Sequence, residues 1–131
     1  MPPLPLTFPY KVYKGLECPT IPIGLRSDIG WKKVWGYVDS GFIHSILHEG
    51  EGQRLRIEIE KGQRRTVKVG SGDIFPMDLH RLEVQVGSER FQALIGFSKD
   101  LKVGFNILGR QPFFERLRVC FDDAKKLVSF E

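Results

Sequence analysis

The chain has 131 residues, 41% of them hydrophobic and 27% charged, with 20 Lys and Arg against 16 Asp and Glu for a formal net charge of +4. That length suits one domain with a real core, and a mild charge spread through the chain does not demand a polyanionic partner. No apolar run is long enough to cross a bilayer, and residues 1–6 lack the basic opening and apolar stretch of a signal peptide, so a cytoplasmic protein with no membrane partner is expected.

The proline-rich residues 1–9 read as an irregular arm ahead of a domain over 10–131. Residues 10–13 and 21–26 are short strand-like stretches, and 31–38 is an aromatic and β-branched run that predicts a strand. It stops at Asp39, Ser40 and Gly41, a turn signal. Residues 54–60 alternate Leu55, Ile57 and Ile59 with charged neighbours, the two-residue period of a half-buried strand. A turn at 61–63 and a return over 65–69 would make it a hairpin. A second turn falls at Gly70, Ser71, Gly72 and Asp73. Strands are expected over 74–80, 81–86 and 91–97, with a turn at 87–90 between the last two. Residues 105–109 show no polar alternation, so both faces are expected to be buried. Pro112 suits the start of one or two helical turns, and two final strands follow over 117–121 and 126–130. Many short strands with hardly any helix predict an all-β barrel or sandwich. The two cysteines, Cys18 and Cys120, lie far apart and are expected to be reduced thiols.

Asp39 sits where one apolar run ends, and a second such run, 105–108, ends at Gly109 and Arg110. Asp-Ser-Gly alone is an ordinary turn. The spaced pair carries more. The segment Gly36, Tyr37, Val38, Asp39, Ser40, Gly41, followed by Asn106, Ile107, Leu108, Gly109, Arg110 and a short helix, resembles the retropepsin family of aspartic proteases. The resemblance covers roughly residues 20–131, and the tail 113–122 is similar to the family's cellular and prokaryotic branch, which carries a hairpin after the helix.

The resemblance implies an all-β fold, a closed β-barrel with one short C-terminal helix. It implies Asp39 as the catalytic carboxylate, Ser40 and Gly41 as the loop that fixes it, and Gly70, Ser71 and Gly72 as a flap over an extended peptide. Gly109 and Arg110 would support the site from beneath. Carboxylate-driven peptide hydrolysis needs two such groups sharing a proton. One triplet per chain then requires a homodimer with Asp39 facing its symmetry mate, and an acidic optimum follows from the shared proton. No metal or organic cofactor is implied, and the partners would be a second copy and a peptide or protein substrate.

Two positions depart from the family pattern. Phe42 stands where a small residue is usual, and would line or narrow the cleft. Ile43 stands where many members carry an Asp that clamps substrate and meets the arginine, so Arg110 loses that partner. The alternative reading is therefore a catalytically inactive module of the same fold, for dimerisation or peptide binding. His44 and His48 would share one face of a helix, but only His80 could join them, so no metal site is expected. Arg54, Arg56, Arg64, Arg65 and Lys68, with Lys32, Lys33, Trp31 and Trp35, have the residue types of a single-strand nucleic-acid binder. Glu58 and Glu60 continue the same face, so a solvated strand is the expected reading and nucleic acid is not an expected partner.

Overall fold

A computed structural model describes residues 6–131. Most of the expected strands form where alternation or continuous apolar runs announced them. After β1 (Leu6–Pro9) come the short pair β2 (Lys11–Tyr13) and β3 (Leu16–Cys18), then β4 (Thr20–Ser27) and β5 (Gly30–Val38). Next are β6 (Ile46–His48), the helix α1 (Glu49–Arg54) and β7 (Gln63–Lys68). The long antiparallel strands β8 (Ile74–Val86) and β9 (Glu89–Ser98) precede β10 (Asn106–Leu108), a helical turn over Arg110–Phe114, β11 (Val119–Asp122) and β12 (Leu127–Phe130).

Seven strands form the main sheet in the order β4, β5, β10, β6, β9, β8, β7, and β4 also pairs with β8, so the pairings run round in a ring. β8 explains how two apolar clusters share this sheet. Its first half buries Phe75, Met77 and Leu79, its second half Leu82, Val84 and Val86, and odd and even positions point to opposite faces. The odd set joins Ile46, Val67, Leu101 and Ile107 beneath the β7–β8 hairpin. The even set joins the main core with Ile21, Ile23, Leu25, Ile95 and Phe97.

Two sequence expectations are corrected. Residues 54–60 are not a strand: α1 ends there and a helical turn follows at Ile59–Lys61. The alternating apolar residues are still inward, with Leu55 fully buried and Ile57 and Ile59 packed on the main core. Irregular backbone delivers them, with Leu55 N–H donating to Glu51 O and Ile57 N–H to Gly52 O, both at 3.0 Å. A Cβ on Gly52 would lie 2.7 Å from Ile59 Cδ1, so this glycine is what lets the segment close against the helix. The hairpin partner of β7 is therefore β8, in the register Arg65↔Met77. The irregular arm expected over 1–9 is corrected at Leu6–Pro9. Residues 1–5 lie outside the described residues, but Leu6–Pro9 is a strand paired with β12 in the sheet β1, β12, β11. It forms because Leu6 and Phe8 can pack on the main core, Phe8 with its ring edge-on to Phe130 at 6.1 Å.

Candidate active site

β5 delivers Asp39. The strand alternates inward Val34, Gly36 and Val38, and β10 lies beside it in parallel register, Leu108 opposite Val38. Asp39 N–H donates to Leu108 O at 3.0 Å, so the pairing carries one residue past the strand's end. The chain then turns. Gly41 N–H donates to Asp39 Oδ1 at 2.9 Å and Phe42 N–H to Asp39 O at 3.3 Å, a side-chain-to-backbone turn of the kind Asp forms two residues ahead of itself.

The loop after the triplet is fastened to the segment after β10. Arg110 N–H donates to Phe42 O and Gln111 N–H to Ile43 O, both at 2.8 Å. Buried Ser45 bridges the two segments through its hydroxyl, which accepts from Gly109 N–H at 2.9 Å and donates to Gln111 O at 2.7 Å. Gly109 is obligatory by space: a Cβ there would strike the carbonyl oxygen of His44 and lie 2.6 Å from Phe42 O. Arg110 reaches the site through its backbone. Its side chain is exposed, and among the described residues it forms no ion pair.

Asp39 is half-buried and opens on a cavity of about 470 Å³ lined also by Tyr10, Tyr37, Ser40, Phe121 and Asp123. Phe42 does not line it. Its ring packs instead on the cluster beneath the β7–β8 hairpin, with Val67, Phe75 and Met77, while Ile43 is about half exposed at 49%. Gly70, Ser71 and Gly72 form the exposed hairpin tip. Val69 N–H donates to Asp73 O at 3.0 Å and Gly72 N–H to Val69 O at 2.9 Å, with Gly72 at φ +92°, a left-handed conformation that glycine adopts without strain.

Sequence reasoning did not single out Tyr10, Tyr37 or Asp123. The Tyr10 hydroxyl donates to Asp123 Oδ1 at 2.6 Å. Burial, followed by this carboxylate, pushes the Tyr10 phenol far above its usual range. Burial also raises Tyr37, with Cys18, Asp39 and Asp123 adding to it. No local pattern joins positions 10 and 123, which meet because β1 and β11 both pair with β12.

His44 and His48 are not on one helix, since His48 ends β6 before α1 begins. His80 Nε2 lies 2.9 Å from Ile59 O, away from both. Among the described residues no three His, Cys, Asp or Glu side chains gather as a metal-ligand set. Of the basic and aromatic residues considered for nucleic acid, Lys33, Trp35 and Arg54 line one cavity, while Arg64 and Arg65 each line a different one. Arg54 pairs with Glu51, Arg64 with Asp78, Lys11 sits over the Trp35 ring and Arg90 over Trp31.

No protein-family model matches the sequence, and no curated protein matches it. Solved structures do. A retropepsin-like aspartic protease from Rickettsia conorii superposes with a TM-score of 0.70 at 16% identity, over 96% of this chain and 89% of that one. The EIAV protease, complexed with the inhibitor HBY-793, superposes with a TM-score of 0.53 at 14% identity, over 76% of this chain and 88% of that one. The chain is built on the retropepsin-like fold.

Proposed function

We propose that the chain is an aspartic endopeptidase that acts as a homodimer, with one Asp39 from each copy forming the catalytic pair. The observation that carries this reading is the fastening of the Asp39 loop. A half-buried carboxylate ends β5, and six hydrogen bonds of 2.7–3.0 Å hold it and the residues after it to one another and to β10 and the turn beyond. Rigid placement of an acid is what general acid–base chemistry needs, and a plain surface turn has no use for it.

Two carboxyl groups brought close cannot both stay ionised, so the pair holds one proton between them. The ionised Asp39 takes a proton from a water as its oxygen attacks the scissile carbonyl carbon. The protonated Asp39 of the other copy gives its proton to the carbonyl oxygen. Collapse of the tetrahedral intermediate breaks the C–N bond. The carboxyl that took the water's proton gives it to the leaving nitrogen, and the other carboxylate takes a proton back from a hydroxyl of the intermediate, restoring the shared proton. Ser40, exposed beside the acid, would hydrogen-bond across the two-fold axis. The Gly70–Ser71–Gly72 tip would close over an extended substrate bound by strand-type hydrogen bonds. Among the described residues, Cys18 and Cys120 are free thiols, which suits a reducing compartment such as the cytoplasm.

The non-catalytic reading draws on Ile43, exposed where many enzymes of this fold place a substrate-clamping carboxylate. One experiment separates the two. Wild-type and Asp39→Asn proteins are offered a mixed peptide library and a peptide that mimics the tetrahedral intermediate. An enzyme cleaves, loses cleavage but not folding on the Asp39→Asn substitution, and binds the mimic far more tightly than an unreactive peptide. A binding module cleaves nothing, and its wild-type and Asp39→Asn forms bind peptides equally well.

A further inference from the structure

Strand alternation places Arg65 on the same face of β7 as Val67, and Arg81 on the same face of β8 as Met77 and Leu79. Val67, Met77 and Leu79 belong to the cluster on which Phe42 packs, so the two arginines stand where that apolar floor reaches solvent. A cavity of about 450 Å³ opens at this edge, between the hairpin strands, the loop after the triplet and the C-terminal helical turn. His44 comes from that loop, Arg116 from the helical turn and Leu94, 42% exposed, from β9.

The charge of this cavity is one-sided. Arg65, Arg81 and Arg116 line it against one carboxylate, Glu115. Among the described residues none of the three is in an ion pair, whereas Arg26, Arg54, Arg64 and Arg118 each have a carboxylate partner. Arg116 is held by a cation–π contact, its guanidinium 5.4 Å from the Phe91 ring centroid. The charge of Arg65 is felt across the cavity. His44 is pulled below its ordinary imidazolium range first by burial and then by Arg65. Three unpaired guanidiniums around a partly apolar hollow match a carboxylate on a short aliphatic stem.

We propose that this cavity is a subsite for an acidic side chain, so that the substrates are extended peptides carrying Glu or Asp to one side of the scissile bond. The proposal rests on the protease reading, because it takes the loop after Asp39, which lines this cavity through His44 and Ser45, as one wall of a peptide cleft. Phe42, by filling the apolar floor, would leave the arginine edge as the chief source of selectivity.

The test uses paired peptides that differ only by Glu against Gln at successive positions, with two readouts. The first is kcat/KM of the full chain and of Arg65→Gln, Arg81→Gln and Arg65→Glu. The second is equilibrium binding of the same peptides to Asp39→Asn, which needs no cleavage. At one position Glu should exceed Gln by about tenfold, the factor expected for a charge-assisted hydrogen bond. Each Gln substitution should pull that ratio toward one, and Arg65→Glu should reverse it in favour of Gln. Cleavage with equal rates on Glu and Gln peptides at every position overturns the subsite and leaves the protease. Binding of Glu over Gln peptides by Asp39→Asn, with no cleavage by the wild type, keeps the subsite and overturns the protease. Equal binding of both peptide types to Asp39→Asn, with no cleavage, overturns both.

Discussion

Gly109→Ala tests whether β10 and the loop after Asp39 are locked together. The added methyl would lie 2.6 Å from Phe42 O and 2.8 Å from His44 C, and closer still to His44 O. All three are backbone atoms, so no side chain can swing aside and the loop itself must move. Overpacking of this kind costs about 1–3 kcal/mol. Displacement also strains the bonds from Gly109 N–H to Ser45 Oγ and from Arg110 N–H to Phe42 O, each worth about 1 kcal/mol. The sum, about 3–5 kcal/mol, is a large share of the 5–15 kcal/mol typical of whole domains. Urea unfolding at one fixed protein concentration reads it, since a dimer's stability varies with concentration. Gly70→Ala is the matched control. Nothing lies within 4 Å of its Cβ position and its φ is not in the left-handed range, so a change within about 0.5 kcal/mol is expected. A Gly109→Ala protein as stable as the control refutes the locked-loop account.

Ser45→Ala removes the hydroxyl that serves Gly109 N–H and Gln111 O, leaving a buried donor unpaired, and should cost about 2–3 kcal/mol by the same urea titration. Asn106→Ala breaks bonds to Trp35 O, Glu51 Oε2 and His48 N–H at 2.9–3.2 Å, untying β10 from β5, β6 and α1. A loss of about 3 kcal/mol or more is expected, and a loss under about 1 kcal/mol would contradict that network's role. His44, whose imidazolium is disfavoured in the folded state, makes stability fall as pH drops below its ordinary value of 6.5. His44→Gln should flatten that fall, measured as urea midpoints down the pH scale. Tyr10 shifts the other way, so its contribution is present at neutral pH and lost as pH climbs past 10, its ordinary value. Tyr10→Phe should weaken the alkaline loss in the same titration.

Much of this architecture was legible because sheet strands advertise themselves. The run 31–38 and the alternation at 81–86 each fold as read, and β10 is buried on both faces because Ile107 packs in one apolar cluster and Leu108 in the other. The segment 54–60 misled because its apolar period of two is met by irregular backbone. α1 ends at Arg54, Gly52 leaves room for Ile59 to close on it, and Leu55, Ile57 and Ile59 turn inward without any ladder. The same error hid the true partner of β7. Asp39 and Gly109 were singled out through their spacing and the resemblance it carries, whereas the serine that links the two segments, Ser45, could not be. A serine carries no pattern that marks it as a bridge. Tyr10 and Asp123 were missed for a similar reason, being joined only by the closing of the terminal strands. Of the unpaired arginines only Arg65 was noticed as charge, and only the three-dimensional arrangement joins it to Arg81 and separates both from the paired Arg54 and Arg64.

The central claim is that each active unit needs two copies of Asp39. Wild-type and Asp39→Asn subunits mixed in varying ratio, exchanged to equilibrium and assayed for peptide cleavage, test it most directly. Activity that falls as the square of the wild-type fraction, with mixed pairs silent, is the predicted result. Activity that falls in simple proportion to the wild-type fraction would mean that one chain works alone, and would contradict the account.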